Sequence, residues 1–243
     1  MAEPVKPAQQ PVEAEVKIKQ FIRRTHNVKT LVFDVENRAG FLPGQYLLLI
    51  LSDEAGMKKP LTISCSPDQS GRIEVTKKVT ESPFSKLYDS LREGDTVKIK
   101  YPYGKFIFSD VYKKAVFLAG GIGITPFMSM LSYIVNNQVD TDIALFYGNK
   151  TTNDIVYRNE LELIGAKNPN IKIVHVIQEP DADWRGYCGL ITSGIIKSEL
   201  ADYTERDYFI CGPPIMTEAM TKMLKDELGI DENRILREQL TGY

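Results

Sequence analysis

The hydrophobic pattern changes its period near the middle of the chain. From about residue 15 to 110, short runs rich in β-branched and aromatic residues alternate with turn signals. The runs are EVKIKQFI, TLVFDVEN, QYLLLILS, LTISCS, RIEVTKKV and DTVKIKYP, and the breaks include LPGQ, SPDQSGR, REGD and PYGK. Six short strands at this spacing predict a small antiparallel β-barrel. One helix, SPFSKLYDSLREG, interrupts them and is expected to end at Gly94 as a C-cap. After DVYKK the runs AVFLAG, DIALFYG, IKIVHVIQ and DYFICG are almost wholly apolar, as strands buried on both faces are. Between them lie helical stripes. Phe127, Met130, Leu131, Ile134 and Val135 share one face, and Met216, Ala219, Met220, Met223 and Leu224 share another. Both stripes read as core packing. Strands alternating with helices predict an α/β doubly wound parallel sheet. The expected organisation is a disordered lead-in over 1–14, the barrel over 15–111 and the α/β domain over 112–243.

Composition narrows the function. The 243 residues carry a net charge of −2, which argues against a nucleic-acid partner. No apolar run is long enough to span a bilayer, and MAEPVKPAQQPVEAEV lacks a signal-peptide core, so the expectation is a cytoplasmic protein without membrane insertion. Cys65, Cys188 and Cys211 form no C-x-x-C pair, and His26 and His175 lie far apart. A disulfide framework, a metal site, an iron–sulfur cluster and a Ser-His-Asp enzyme are therefore not expected. An enzyme built on these residues would rely on an organic cofactor.

FLAGGIGITPFMSML reads as strand, glycine-rich turn, helix. Gly120, Gly121 and Gly123 permit positive φ and close approach to a ligand. Thr125 is expected as N-cap and Pro126 as the first helical residue. Such a helix start favours an anion such as a dinucleotide pyrophosphate, although the spacing is G-x-G-x-x-P and a tight turn without a ligand would share it. Further on, YFICGPPIMTEAM places Cys211 where the backbone turns. Taken alone, that thiol is either a buried structural group or one aimed into a cleft.

Eight motifs stand in order: LPGQY, KPLTISCSP, ESPFSKLYDSLREGD, YPYGKF, AGGIGITP, LFYGNKTTNDIVYRNEL, ICGPP and REQLTGY. From about residue 15 to the end, the chain resembles the ferredoxin–NADP reductase superfamily of flavin reductases. The resemblance implies FAD on the barrel and a nicotinamide dinucleotide on the α/β half. The family's Arg-x-Tyr-Ser motif corresponds to Lys59, Pro60, Leu61 and Thr62. Lys59 would neutralise the FAD pyrophosphate as a point charge. Thr62 would donate to the flavin N5 region, and Leu61 removes an aromatic stacking surface. Ser82, Pro83, Phe84 and Ser85 match the second phosphate element, with Thr76 and Lys77 as FAD neighbours. On the nicotinamide side the resemblance marks Gly121, Gly123, Ile124, Thr125, Pro126, Tyr147, Gly148, Asn149, Cys211, Gly212, Pro213, Pro214 and Met216. It puts Cys211 beside the reactive nicotinamide carbon and Glu238 near both rings, where it could relay a proton. Leu240 stands where relatives usually carry Phe. Tyr243 either covers the flavin, as in some relatives, or belongs to a solvated tail.

Phosphate-selective relatives carry Ser and Arg where this chain has Ile177 and Gln178, followed by Glu179, Asp181 and Asp183. Acidic groups there repel a 2′-phosphate, so NADH is expected over NADPH, with Lys150 and Arg158 arguing the other way. The reading is an FAD-dependent NADH oxidoreductase with catalytic Thr62, Cys211 and Glu238. It would pass electrons to a separate ferredoxin, flavodoxin, oxygenase component or haem protein, or to a small molecule. An electron-transfer subunit without independent turnover and a flavin-less module of the same fold are the alternatives.

Overall fold

The computed structural model describes residues 10–35, 40–69 and 71–240. Its contacts divide the chain into two units. The first runs to Val111 and takes in Thr125–Asn137, and the second starts at Tyr112.

The first unit holds β1 (Val12–Thr25), β2 (Val28–Asp34), β3 (Tyr46–Ile50), β4 (Lys58–Thr62), β5 (Arg72–Lys78), α1 (Pro83–Ser90) and β6 (Thr96–Tyr103). The strands form one antiparallel sheet in the order β4-β3-β6-β1-β2-β5. A bridge from Ile63 to Val75 joins its two edges into a barrel, and Ser64 N–H donates to Glu74 O at 2.9 Å beside it. The period-2 pattern explains which face is inside. Along β6, Val97, Ile99 and Tyr101 are buried while Thr96 and Lys98 are exposed. They meet Ile18, Leu31, Phe33, Leu47, Leu49 and Val75 in one core.

Three expectations need correction here. β1 begins at Val12, so the last residues of the supposed disordered lead-in are paired with β6, Val12 opposite Tyr101. Residues 1–9 lie outside the described residues. The segment LTISCS is not itself the fourth strand: β4 runs from Lys58 to Thr62, because the register with β3 carries the pairing back to Lys58 opposite Ile50. Gly94 does not cap α1. That helix ends at Ser90 with Leu91 extended, and Gly94, at φ +92, sits in the turn where its N–H reaches Ile18 O at 2.8 Å.

The second unit holds β7 (Lys114–Gly120), β8 (Asp142–Asn149), α3 (Arg158–Lys167), β9 (Ile171–Ile177), β10 (Tyr187–Cys188), α4 (Ser193–Glu199), β11 (Asp207–Gly212), α5 (Pro214–Asp226) and β12 (Ile235–Gln239). Between β7 and β8 in the chain lies α2 (Ile124–Asn136). All strand pairs of this sheet are parallel, in the order β10-β9-β8-β7-β11-β12. The chain moves outward from β7 to β10 and then returns to the other side of β7, so the strand order reverses between β7 and β11. In open α/β sheets a crevice for ligands lies outside the carboxyl ends of the strands at such a point. The four apolar runs are central strands. β10 and β12 are outer strands whose short, half-exposed or polar residues carry no continuous apolar signal.

At the amino ends of the same strands, Arg206 is 3% exposed. Its guanidinium donates to Asp142 Oδ1 and Oδ2 at 2.7 and 2.9 Å and to Asp202 Oδ1 and Oδ2 at 2.8 and 3.1 Å. Lys114 joins Asp202 at 2.9 Å. The hydrogen bonds from Arg206 hold the Asp202 carboxyl down to about 2. A depressed carboxylate stabilises the fold above its unfolded value of about 3.8, and that contribution is lost as the pH falls toward 2. Arg206→Met should lower stability by about 2–3 kcal/mol, less than the ~3–5 of a fully buried pair because Asp142 is half exposed. It should also flatten the acid limb between pH 4 and pH 2. Thermal unfolding across that range checks both; a wild-type midpoint and acid limb would show that the network adds no stability.

Candidate cofactor-binding sites

Each unit carries its own cluster. In the second unit the cluster forms where β7 and β11 end. Gly120 closes β7, and Gly121 follows at φ +51, a left-handed conformation that glycine adopts without strain. A Cβ on Gly121 would meet nothing within 4 Å, so the turn is open on that side. Gly123 is the reverse case. A Cβ there would collide with the Cys211 carbonyl and lie 2.8 Å from Gly212 Cα, so backbone rests on backbone. Helical geometry starts earlier than expected. A 3-10 turn over Gly121–Gly123 leads straight into α2 at Ile124. Thr125 and Pro126 are therefore the second and third residues of the helix, not its cap and first residue. The positive φ at Gly121 begins the coil before Thr125 is reached.

Cys211 is fully buried and stands in register with Ala119 on one side and Glu238 on the other. Burial, reinforced by the Glu238 charge, pushes its thiol well above the usual range, so it is protonated at neutral pH and is no nucleophile. Glu238 is half-buried on β12, and its Oε2 has no hydrogen-bond partner among the described residues. Burial raises its carboxyl to about 7. The two groups are a neutral polarizable atom and an acid that titrates near physiological pH, side by side at the ends of adjacent strands. Gly212 is buried, Pro213 is exposed, and Pro214 is the first residue of α5. Met216 turns back so that its sulfur sits over Gly120 and Gly212.

At the end of β8, Gly148 packs under Ile191. Asn149 is 5% exposed, and neither polar atom of its carboxamide has a partner among the described residues. Buried polar groups are normally bonded, so such a carboxamide fits a site completed by a ligand. Tyr147, expected as a cofactor contact, is fully buried, as Cys211 is. After β9, Ile177 is buried while Gln178, Glu179, Asp181 and Asp183 are exposed. Gln178 N–H and Glu179 N–H donate to Asn149 O and Lys150 O at 3.0 and 2.8 Å, joining this loop to the one after β8. Lys150 pairs with Glu179 at 3.6 Å and Arg158 with Glu162 at 3.1 Å, and Asp181 accepts from Thr152.

In the first unit, Lys59 lies half-buried on β4 and Lys77 is 3% exposed on β5. Burial first and the neighbouring Lys59 second bring the Lys77 ammonium down to about 8, while its Nζ donates to Lys78 O at 2.8 Å. Two cations held together against desolvation suit a doubly charged pyrophosphate. Thr62, on β4 with Lys59, is buried, and Leu61 packs in the barrel core. Thr76 exchanges hydroxyl bonds with Thr30 at 2.7 Å and Ser64 at 3.2 Å. At the start of α1, Ser82 caps the helix by accepting from Ser85 N–H at 3.3 Å, with Pro83 as the first helical residue. Phe84 and Ser85 are buried. Thr80 bonds both serine hydroxyls, at 3.2 and 3.0 Å, a member the sequence reading missed. It also missed Lys29, 1% exposed, which donates to Asp89 O and Leu91 O at 2.9 and 2.8 Å and so holds the far end of α1. Thr80 could have been found from its place just before an N-cap, whereas nothing local to Lys29 signals a partner sixty residues on. Tyr243 lies outside the described residues.

Comparison with known proteins gives these features a context. A family model described as oxidoreductase FAD-binding domain matches residues 15–108, and one described as oxidoreductase NAD-binding domain matches residues 117–222. NADH-cytochrome b5 reductase 1 of Dictyostelium discoideum is 32% identical over 218 residues, spanning 86% of this chain and 76% of that protein. The glycine betaine monooxygenase reductase subunit of Pseudomonas aeruginosa is 31% identical over 228 residues, 90% of this chain and 62% of that one. Among solved structures, the ferredoxin reductase in carbazole 1,9a-dioxygenase superposes with a TM-score of 0.84 at 23% identity, over 96% of this chain and 70% of that chain. At that identity the likeness speaks for the fold.

The Lys77 ammonium supplies a prediction. A bound pyrophosphate favours the charged form and raises its pKa, so binding takes up a proton wherever free Lys77 is neutral. Affinity of the flavin-stripped protein for FAD should therefore fall above pH 8, by up to about tenfold per pH unit. Lys77→Met should bind more weakly at pH 7 and lose this dependence. Quenching of FAD fluorescence at pH 7 and pH 9 measures it; identical pH dependence in the variant would remove Lys77 from the site.

Proposed function

The chain belongs to the ferredoxin–NADP reductase superfamily, and from that membership we propose that it is an FAD-dependent NADH reductase that hands electrons to a separate acceptor protein. The supporting observation is the seating of Gly123 on the Cys211 carbonyl. It brings a glycine turn suited to pyrophosphate and a thiol–carboxyl pair suited to a nicotinamide to one strand-order reversal. Bound flavin supplies the conversion of a two-electron hydride from NADH into electrons delivered singly. The protein's own residues bind, orient and manage protons.

In this reading Lys59 and Lys77 hold the FAD pyrophosphate together with the Ser82–Ser85 start of α1. Thr62 presents its hydroxyl to the flavin N5 region. The turn from Gly121 and the start of α2 receive the NADH pyrophosphate. Cys211 lines the hydride path without blocking it, since a buried neutral thiol is small and polarizable. Glu238 holds or releases a proton near neutral pH. Orientation of the nicotinamide is the main contribution to rate. Lys150 and Arg158 already have carboxylate partners. A 2′-phosphate would compete with those carboxylates, which supports NADH over NADPH.

The relatives are named for cytochrome b5 reduction and for a monooxygenase. That favours a haem protein or an oxygenase component over a ferredoxin or flavodoxin as acceptor. That one relative is named a reductase subunit also supports a second reading, in which this chain works as one part of a larger electron-transfer assembly. Free thiols at Cys65, Cys188 and Cys211 suit the reducing cytoplasm.

With ferricyanide as acceptor, the FAD-loaded protein should show kcat/KM for NADH above that for NADPH by about tenfold or more, the effect of ~1.4 kcal/mol. Equal values, or a preference for NADPH, would refute the specificity assignment. Glu238→Gln should remove the limb of the kcat–pH profile centred near the carboxyl's pKa of about 7. A profile that keeps this limb would assign the titration to another group.

A further inference from the structure

Tyr147 carries a hydroxyl that its packing does not require. The ring is fully buried in β8, in register with Ala119 and His175. A phenylalanine would fill the same space. The hydroxyl nevertheless joins two segments beyond its own strand. It donates to Gly121 O at 3.0 Å and accepts from Val156 N–H at 3.3 Å. Val156 is itself buried and leads to Tyr157, which holds φ +60 just before α3. One oxygen thus ties the glycine turn after β7 to the connector after β8.

The bond to Gly121 O matters because of the residue that bears it. Gly121 is left-handed, has no side chain to hold its conformation, and faces open space. The peptide linking it to Ile122 is planar and trans, so its carbonyl oxygen and the Ile122 N–H point to opposite edges of one plane. Fixing the oxygen fixes the direction of that N–H. The Ile124 N–H also reaches Gly121 O, but it belongs to the turn itself and moves with it. Tyr147 is the anchor from another strand. Two residues along, on the same face of the sheet, the buried Asn149 carboxamide lies beside the phenol.

We propose that the Tyr147 hydroxyl is a positioning group for the dinucleotide site: it clamps the Gly121 peptide plane, and through Val156 the connector beside it, in the shape that receives the NADH pyrophosphate. It does not touch the dinucleotide. The proposal rests on the NADH reading above and deepens it.

Tyr147→Phe tests it in the FAD-loaded protein. Loss of one clamping hydrogen bond should raise the NADH KM, and the NAD+ dissociation constant measured by calorimetry, by about tenfold. kcat at saturating NADH and flavin content should stay unchanged. A merely structural hydroxyl would lower the melting temperature and leave KM and NAD+ affinity as they are, and that result overturns the proposal. Should the variant not fold, hydrogen exchange in the wild type decides. Saturation with NAD+ should slow exchange at Val156 together with the turn at Ile122; protection of Ile122 without Val156 overturns the clamp. Wild-type protein that neither binds NAD+ nor oxidises NADH would instead refute the underlying reading, so the two failures are told apart.

Discussion

The meeting of Gly123 with the carbonyl of Cys211 is the constraint on which the second unit depends. Any side chain at 123 would push the turn off β11. With glycine there, the chain leaving β7 runs directly over the end of the adjacent strand before it becomes helix. The turn thereby meets the end of β11 backbone to backbone, with the Met216 sulfur over Gly120 and Gly212, and exposed backbone N–H groups at a helix start are what favour an anionic ligand. The same contact fixes where Cys211 ends up: enclosed, neutral, and level with Glu238 on the next strand. One steric requirement therefore sets the position of the turn, the state of the thiol and the environment that lifts the carboxyl.

The first unit builds its site by another route. Its barrel alternates along β6, but β2 and β5 are buried on both faces, and β5 includes Lys77, buried with another lysine as its neighbour. Burying a cation beside a cation opposes folding, and a site that does so is suited to an anion that relieves it. The helix that completes the cluster is held at both ends. Ser82 closes its start, and the buried Lys29 caps its last carbonyls from across the barrel. Buried positive charge thus appears in two settings, once beside a second lysine and once against the carbonyls at the end of α1.

The period of the hydrophobic pattern made both layers of the fold readable. Alternation in DTVKIKYP and unbroken apolar character in AVFLAG report burial on one face and on two. What could not be read were features decided by register or by distant partners. β4 takes its boundaries from pairing with β3, so LTISCS misled. β12 is an edge strand with the composition of a tail. Thr125 looks like a cap because Thr-Pro usually is one, yet the helix had already begun at a glycine whose φ no sequence displays. For the site, order and spacing of motifs pointed to Cys211, Glu238, Lys59 and Lys77. The structure adds what no spacing displays: the hydroxyl of the buried Tyr147 has two partners, Gly121 O and Val156 N–H.

The central claim is that this chain moves a hydride from NADH to a flavin. Anaerobic mixing of the FAD-loaded protein with one equivalent of NADH, followed in the flavin absorption band, tests it in a single turnover. The account predicts stoichiometric bleaching of the flavin as the NADH is oxidised. A flavin spectrum that stays unchanged while FAD remains bound would contradict it.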